Sequence, residues 1–156
     1  MRYFMLPVLL TALASSNCRQ EGNPEITIGN GERIFQTYGC FNCHGPAGQG
    51  GVVNENAVRG TVPRLRDIAL RMGLHSEEEA DRLLQAVRSG NLDPSMPGIG
   101  FFLHYQSVIR EGRQSERLDP NGPLPPRNMP SWEGALSPAQ RDSVLIYLIS
   151  LQEWEE

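Results

Sequence analysis

The run Cys40-Phe41-Asn42-Cys43-His44 constrains this chain more than anything else in it. Two thiols separated by two residues and followed at once by an imidazole form the C-x-x-C-H signature of c-type haem attachment. The spacing has a mechanical reason. Each thiol can form a thioether to one of the two vinyl groups on one edge of the porphyrin, and the adjacent imidazole then projects under the ring to bind iron. The covalent links also hold the haem in a protein too small to bury it well by packing alone. Two other readings of the pair are weaker. A thiol redox couple expects a βαβ context, and no strand pattern is visible. Half of a zinc site needs a second pair of ligands, but there is no further Cys pair, and His75 and His104 lie far away in sequence. Cys40 and Cys43 are therefore read as thioether positions for one covalent haem c, and His44 as the proximal iron ligand.

The N-terminal residues say where such a chain works. Arg2 followed by the apolar run Tyr3 to Ala14 has the form of an export signal and is too short to span a bilayer. The run leads through Ala14-Ser15-Ser16-Asn17 to Cys18, a pattern resembling a bacterial lipoprotein cleavage site, in which the Cys is lipidated and becomes the mature N-terminus. Asn17 departs from the small residue usual before that Cys, and a soluble periplasmic product cut near Ala14 is the plainer alternative. The expected organisation is a signal peptide over residues 1–17, a polar tether over 18–28 and a single domain over 29–156. The location that follows is exported, periplasmic or held at the membrane by lipid. Three Cys is an odd number, which argues against a disulfide framework and leaves Cys18 for lipid and the other two for haem. A formal charge of −4, with all 14 basic residues Arg, offers no basic surface for nucleic acid.

Periodicity gives an all-α domain. Ile34, Phe35 and Tyr38 share one face of a short helix ended by Gly39, and that helix delivers Cys40. Residues 45–63 are Gly-rich and aperiodic, hence loop. Leu65, Ile68, Ala69 and Met72 fall on one helical face across 64–72, with Gly73 as a cap. Ser76 with Glu79 reads as a capping box opening a helix with Ala80, Leu83, Leu84 and Val87 on its buried side. A short helix near 101–111 is expected inside an apolar cluster, followed by a Pro-rich extended stretch. Ser137-Pro138-Ala139-Gln140 then opens a final helix whose stripe is Val144, Leu145, Leu148 and Leu151.

A low-spin electron carrier needs a sixth iron ligand, and a thioether favours reduced iron. Met1 and Met5 leave with the leader, and Met72 lies on a buried stripe, so Met96 and Met129 remain. Taken together, Gly31-Glu32-Arg33-Ile34-Phe35, Cys40-x-x-Cys43-His44-Gly45, Gly60-Thr61-Val62-Pro63-Arg64-Leu65, Met129-Pro130-Ser131-Trp132 and Leu136-Ser137 through Tyr147-Leu148 resemble class I bacterial cytochromes c, which carry one haem with His/Met ligation. The resemblance spans residues 29–152, with an insertion at 97–127 before the Met loop. It implies a cytochrome c fold of four to five short helices, Met129 as the distal ligand with Met96 as the alternative, and Gly31 and Phe35 packed against Val144 and Tyr147. It further implies that the Pro63 carbonyl orients the His44 ring, that Trp132 packs against the haem or the Met loop, and that one or two of Arg59, Arg64, Arg66 and Arg71 neutralise haem propionates. The aromatic cluster of the insertion is expected to form a satellite core.

The function that follows is a single-electron carrier, not an enzyme, exchanging electrons with a redox donor and acceptor. A second reading from another class is the electron-accepting subunit of an oxidase or dehydrogenase complex, with 97–127 as the assembly surface. A thiol oxidoreductase would require free Cys40 and Cys43.

Overall fold

The computed structural model describes Asn23 and residues 25–154. The expected signal peptide, Cys18 and most of the tether lie outside the described residues. Within them are six α-helices and no β-strand: α1 (Ile28–Thr37), α2 (Phe41–His44), α3 (Ile68–Arg71), α4 (Glu77–Ser89), α5 (Ile99–Glu111) and α6 (Pro138–Ser150). None of these is long and apolar enough to cross a membrane.

The first and last helices make the main contact of the fold. Thr27 caps α1 by accepting from the Asn30 amide, and Ile34 and Phe35 are buried on one side of it. α6 begins as its sequence dictates: Ser137 accepts from the Gln140 amide, Gln140 reaches back to the Ser137 amide, and Pro138 occupies the first turn. The two helices cross where Gly31 has no room for a side chain, because a Cβ there would lie 2.6 Å from the Ser143 carbonyl carbon and 2.7 Å from Tyr147 Cβ. Phe35 and Tyr147 stack at a tilt beside the crossing, with ring centroids 5.7 Å apart. Val144 is buried in the same cluster, so the packing implied for Gly31 and Phe35 is what the fold has.

Three elements differ from the sequence reading. The helix expected over 64–72 is only one turn, and the residues before it run as a loop whose Leu65 and Arg66 amides donate to the Gly48 carbonyl at 2.7 and 3.1 Å. Ser76 does cap α4 by accepting from the Glu79 amide, but the Glu79 carboxylate takes the His75 amide instead, so the reciprocal half of the box is displaced by one residue. The insertion makes no satellite core. Ile99, Phe102 and Ile109 of α5 join the same buried cluster as α1, α4 and α6, while Phe101 and Leu103 face solvent. An amphipathic helix in contact with α6 gains more by covering the existing core than by building a separate one.

Candidate functional site

α1 ends at Tyr38, and Gly39, at φ +70°, turns the chain so that the Cys40 amide reaches back to the Phe35 carbonyl at 3.0 Å. Cys40 already has helical angles, φ −55° and ψ −35°, and continues into α2. Residues three apart on a helical turn share a face, so Cys40 and Cys43 are neighbours there. Both are free and half-buried. Burial pushes the Cys40 thiol upward from its ordinary pKa, with the neighbouring Cys43 adding to the rise against a lowering backbone hydrogen bond. Nucleophilic redox thiols have the opposite signature, a depressed pKa.

His44 Nδ1 lies 3.0 Å from the Pro63 carbonyl oxygen. A carbonyl can only accept, so Nδ1–H donates and the lone pair is left on Nε2, which fixes the tautomer and directs the ring. Burial lowers the pKa of His44, the Pro63 bond opposes the shift, and the positive charge of Arg71 adds to it. The imidazole is thus kept neutral at pH 7, the form that ligates a metal.

The Gly-rich loop between these two residues is shaped by close approaches. Gly45 has φ +75°, and a Cβ on it would meet the Gly50 carbonyl oxygen at 2.8 Å. The Gly50 amide in turn donates to the His44 carbonyl at 2.6 Å. Gly48 supplies the carbonyl that holds Leu65 and Arg66, and Val62 donates to Val52 at 2.8 Å, which brings Pro63 back over His44. Residues 45–63 are therefore a loop, as their composition implies, but an ordered one.

Met129 sits half-buried against the hydrophobic cluster at the end of a two-stranded turn. Its amide and carbonyl both pair with Arg113, each at 2.9 Å. Gly112, at φ +78°, lets this pairing occur, because a Cβ there would lie 2.7 Å from the Met129 carbonyl oxygen and the Ser131 amide. Ser131 Oγ donates to the Arg110 carbonyl at 2.7 Å, and the Trp132 amide donates to Ile109 and Arg110. The C-terminal end of α5 thus seats the whole segment from Met129 to Trp132. The Trp132 ring meets Tyr38 edge-on at 5.6 Å, two residues before Cys40, which ties this segment to the approach to α2. Met96 is also half-buried, in a turn before α5 whose amide bonds to Asp93, and its neighbour Gly98 packs on Leu74 and Leu83. His75 and His104 are both exposed, and His104 lies against Tyr105. Of the arginines, Arg66 pairs with Glu153 and Arg71 with Asp67, while Arg59 and Arg64 are exposed.

One buried polar residue was not anticipated. Asn54 is 1% exposed and hydrogen-bonds to Ser115 and Arg127, on the two arms of the segment that carries Met129. An Asn in a Gly-rich loop reads as a turn residue, and partners 61 and 73 residues away leave no local signal.

The residues present fit a covalent haem: two unpaired thiols on one face of a turn, followed by a neutral imidazole whose Nδ1 is held by a carbonyl and whose Nε2 is left free. Residues 28–152 match the family model for Cytochrome c. No curated protein and no solved structure matched the chain.

Proposed function

The chain belongs to the cytochrome c family, whose members carry covalent c-type haem and transfer electrons, and on that premise we propose a single-electron carrier with His44 and Met129 as axial iron ligands. The observation that carries the reading is the His44–Pro63 hydrogen bond, which directs one imidazole nitrogen away from the protein backbone. When bound, the haem supplies an iron that alternates between Fe(II) and Fe(III). The chain's own work is to hold that group by Cys40 and Cys43, orient His44 through Pro63 and present the Met129 thioether from a seated loop. A neutral, soft thioether from Met129, with His44 as the other ligand, would favour the reduced state. The Tyr38–Trp132 contact supports Met129 over Met96, because it ties the Met129 segment to the residues leading into Cys40.

The carrier works outside the cytoplasm, in a periplasmic or cell-surface chain between a redox donor and acceptor. The Arg2-to-Ala14 signal and the Cys18 pattern support export and a lipid anchor. A second reading, the electron-accepting subunit of an oxidase or dehydrogenase complex, is favoured by Phe101 and Leu103, which are 52% and 45% exposed on the outer side of α5.

The test is a visible spectrum of the holoprotein, oxidised and reduced, with Met129→Ala and Met96→Ala alongside. A thioether-to-iron charge-transfer band present in the wild type and lost only in Met129→Ala is expected. An oxidised wild type without that band, whose reduced form binds carbon monoxide readily, would have an open sixth position, and the closed-carrier reading would fall.

A further inference from the structure

The residues around Asn54 form a clamp that α-helical packing does not need. Its side-chain amide pairs with the backbone of Arg127 as a neighbouring strand would: Oδ1 accepts from the Arg127 amide at 3.0 Å, and Nδ2 donates to the Arg127 carbonyl at 3.0 Å. The second Nδ2 hydrogen goes to Ser115 Oγ at 3.0 Å, and that hydroxyl donates onward to the same Arg127 carbonyl at 2.7 Å. The backbone joins in: Val58 donates to Glu116 at 3.0 Å, Leu118 donates to Asn56 at 2.7 Å, and Arg127 Nε donates to the Val53 carbonyl at 3.0 Å.

The positions of these partners give the clamp its meaning. Arg127 and Ser115 each lie two residues from the isolated Arg113–Met129 bridge, one on each arm, and the Ser115 hydroxyl joins the two arms there through the Arg127 carbonyl. Asn54 belongs to the loop that leaves His44 and returns at Pro63, and its amide bonds to the Gly60 carbonyl at 2.9 Å close to that return. One buried side chain therefore links the segment that orients His44 to the segment that carries Met129. Apolar burial does only part of this work: Ala57 and Val62 are buried, but Val53, Val58, Leu118 and Leu124 are each at least half exposed. Hydrogen bonds shielded from water are the means by which such a polar segment can be held at fixed distance from the core.

Resting on the assignment of Met129 as distal ligand, we infer that Asn54 is a positioning residue for the Met129 thioether, setting how firmly the sixth coordination position is closed. Removing its amide takes away the acceptor of the Arg127 N–H and leaves the Arg127 carbonyl to Ser115 alone, and the pairing loosens where it presents Met129.

The experiment is a titration of the oxidised holoprotein with imidazole, an external ligand that must displace the thioether, read at the charge-transfer band. Asn54→Leu keeps the number and branching of the side-chain heavy atoms and removes every side-chain hydrogen bond. It is expected to bind imidazole about ten- to a hundred-fold more tightly than the wild type, in line with the cost of lost hydrogen-bond partners. Val87→Ala, which empties part of the core on α4, serves as a variant of lowered stability remote from the clamp, and its imidazole affinity should stay within about twofold of the wild type. Ser115→Ala removes one member of the same network and shifts affinity in the same direction by less, which keeps the test open if Asn54→Leu does not fold. Equal affinities in the wild type, Asn54→Leu and Ser115→Ala would overturn the inference, as would a shift in Val87→Ala as large as theirs. Loss of the band in Met129→Ala is measured in the same series: a band that survives there defeats the ligand assignment, whereas a band lost there with no effect at Asn54 or Ser115 defeats the clamp alone.

Discussion

The crossing of α1 and α6 and the segment around Met129 are held by opposite kinds of force. At the crossing, Ile34, Phe35, Val144, Leu145, Tyr147 and Leu148 are each no more than 5% exposed, and Gly31 lets the two backbones touch. Around Met129 the chain is largely exposed and is held by the Arg113 ladder, the Ser131 hydroxyl and Asn54. Apolar packing is insensitive to small rotations but costly to empty. Hydrogen bonds are individually modest and fix direction. On the ligation proposed above, the difference places the covalent anchor beside a rigid core and the distal ligand among contacts that define an angle.

Phe35→Ala probes the crossing most severely. It should lower the unfolding free energy of the holoprotein by about 3–5 kcal/mol in a denaturant titration, since a large aromatic leaves a cavity against Tyr147. Gly112→Ala is the matching change in the other region. The strained φ and the Met129 carbonyl beneath it predict a loss of about 1–3 kcal/mol together with a weakened thioether band. The comparison breaks if Gly112→Ala costs as much stability as Phe35→Ala while leaving the band intact. Ser137→Ala removes the cap of α6 and should cost about 1 kcal/mol with no spectral change, which would show that the crossing can be weakened without disturbing the ligand.

The smallest effect concerns Asp142, on the far side of α6, beside a cavity of about 260 Å³ lined by Ile26, Val87 and Phe102. Burial raises its carboxyl pKa, against the lowering effects of the Gln106 hydrogen bond at 2.6 Å and of Arg141. A raised folded-state value means that the native protein binds the proton more tightly than the unfolded chain does. Its stabilising contribution is therefore full below the ordinary carboxylate range and is lost as pH rises through the raised value. Asp142→Asn should be slightly more stable than the wild type at neutral pH, and the gap should close in acid. Denaturant midpoints at the two pH values check this, and a gap that widens in acid would contradict it.

The same contrast decides what was legible in the sequence. The haem turn is a contiguous motif, and α6 announces itself by Ser137, Pro138 and Gln140 and by a regular stripe, so both are local signals. α5 is obscured because it opens at Gly98 in the left-handed region with no side-chain cap, and because Phe101 and Leu103 blur its apolar face. The loop before α3 is tied to Gly48, and the Met129 segment to Asn54, partners too distant along the chain for local periodicity to report. Hydrophobic periodicity reports which face is buried, whereas polar ladders between distant loops leave no period to read.

The α1–α6 crossing also sets an order in time. A chain made from its N-terminus presents Phe35 and the Cys40–His44 turn long before Val144 to Ile149 exist to cover them, and contacts between sequence-distant elements come late because the intervening chain must first be closed. The two thiols therefore pass through synthesis on a chain that still lacks its last helix, and in the finished fold both are half-buried.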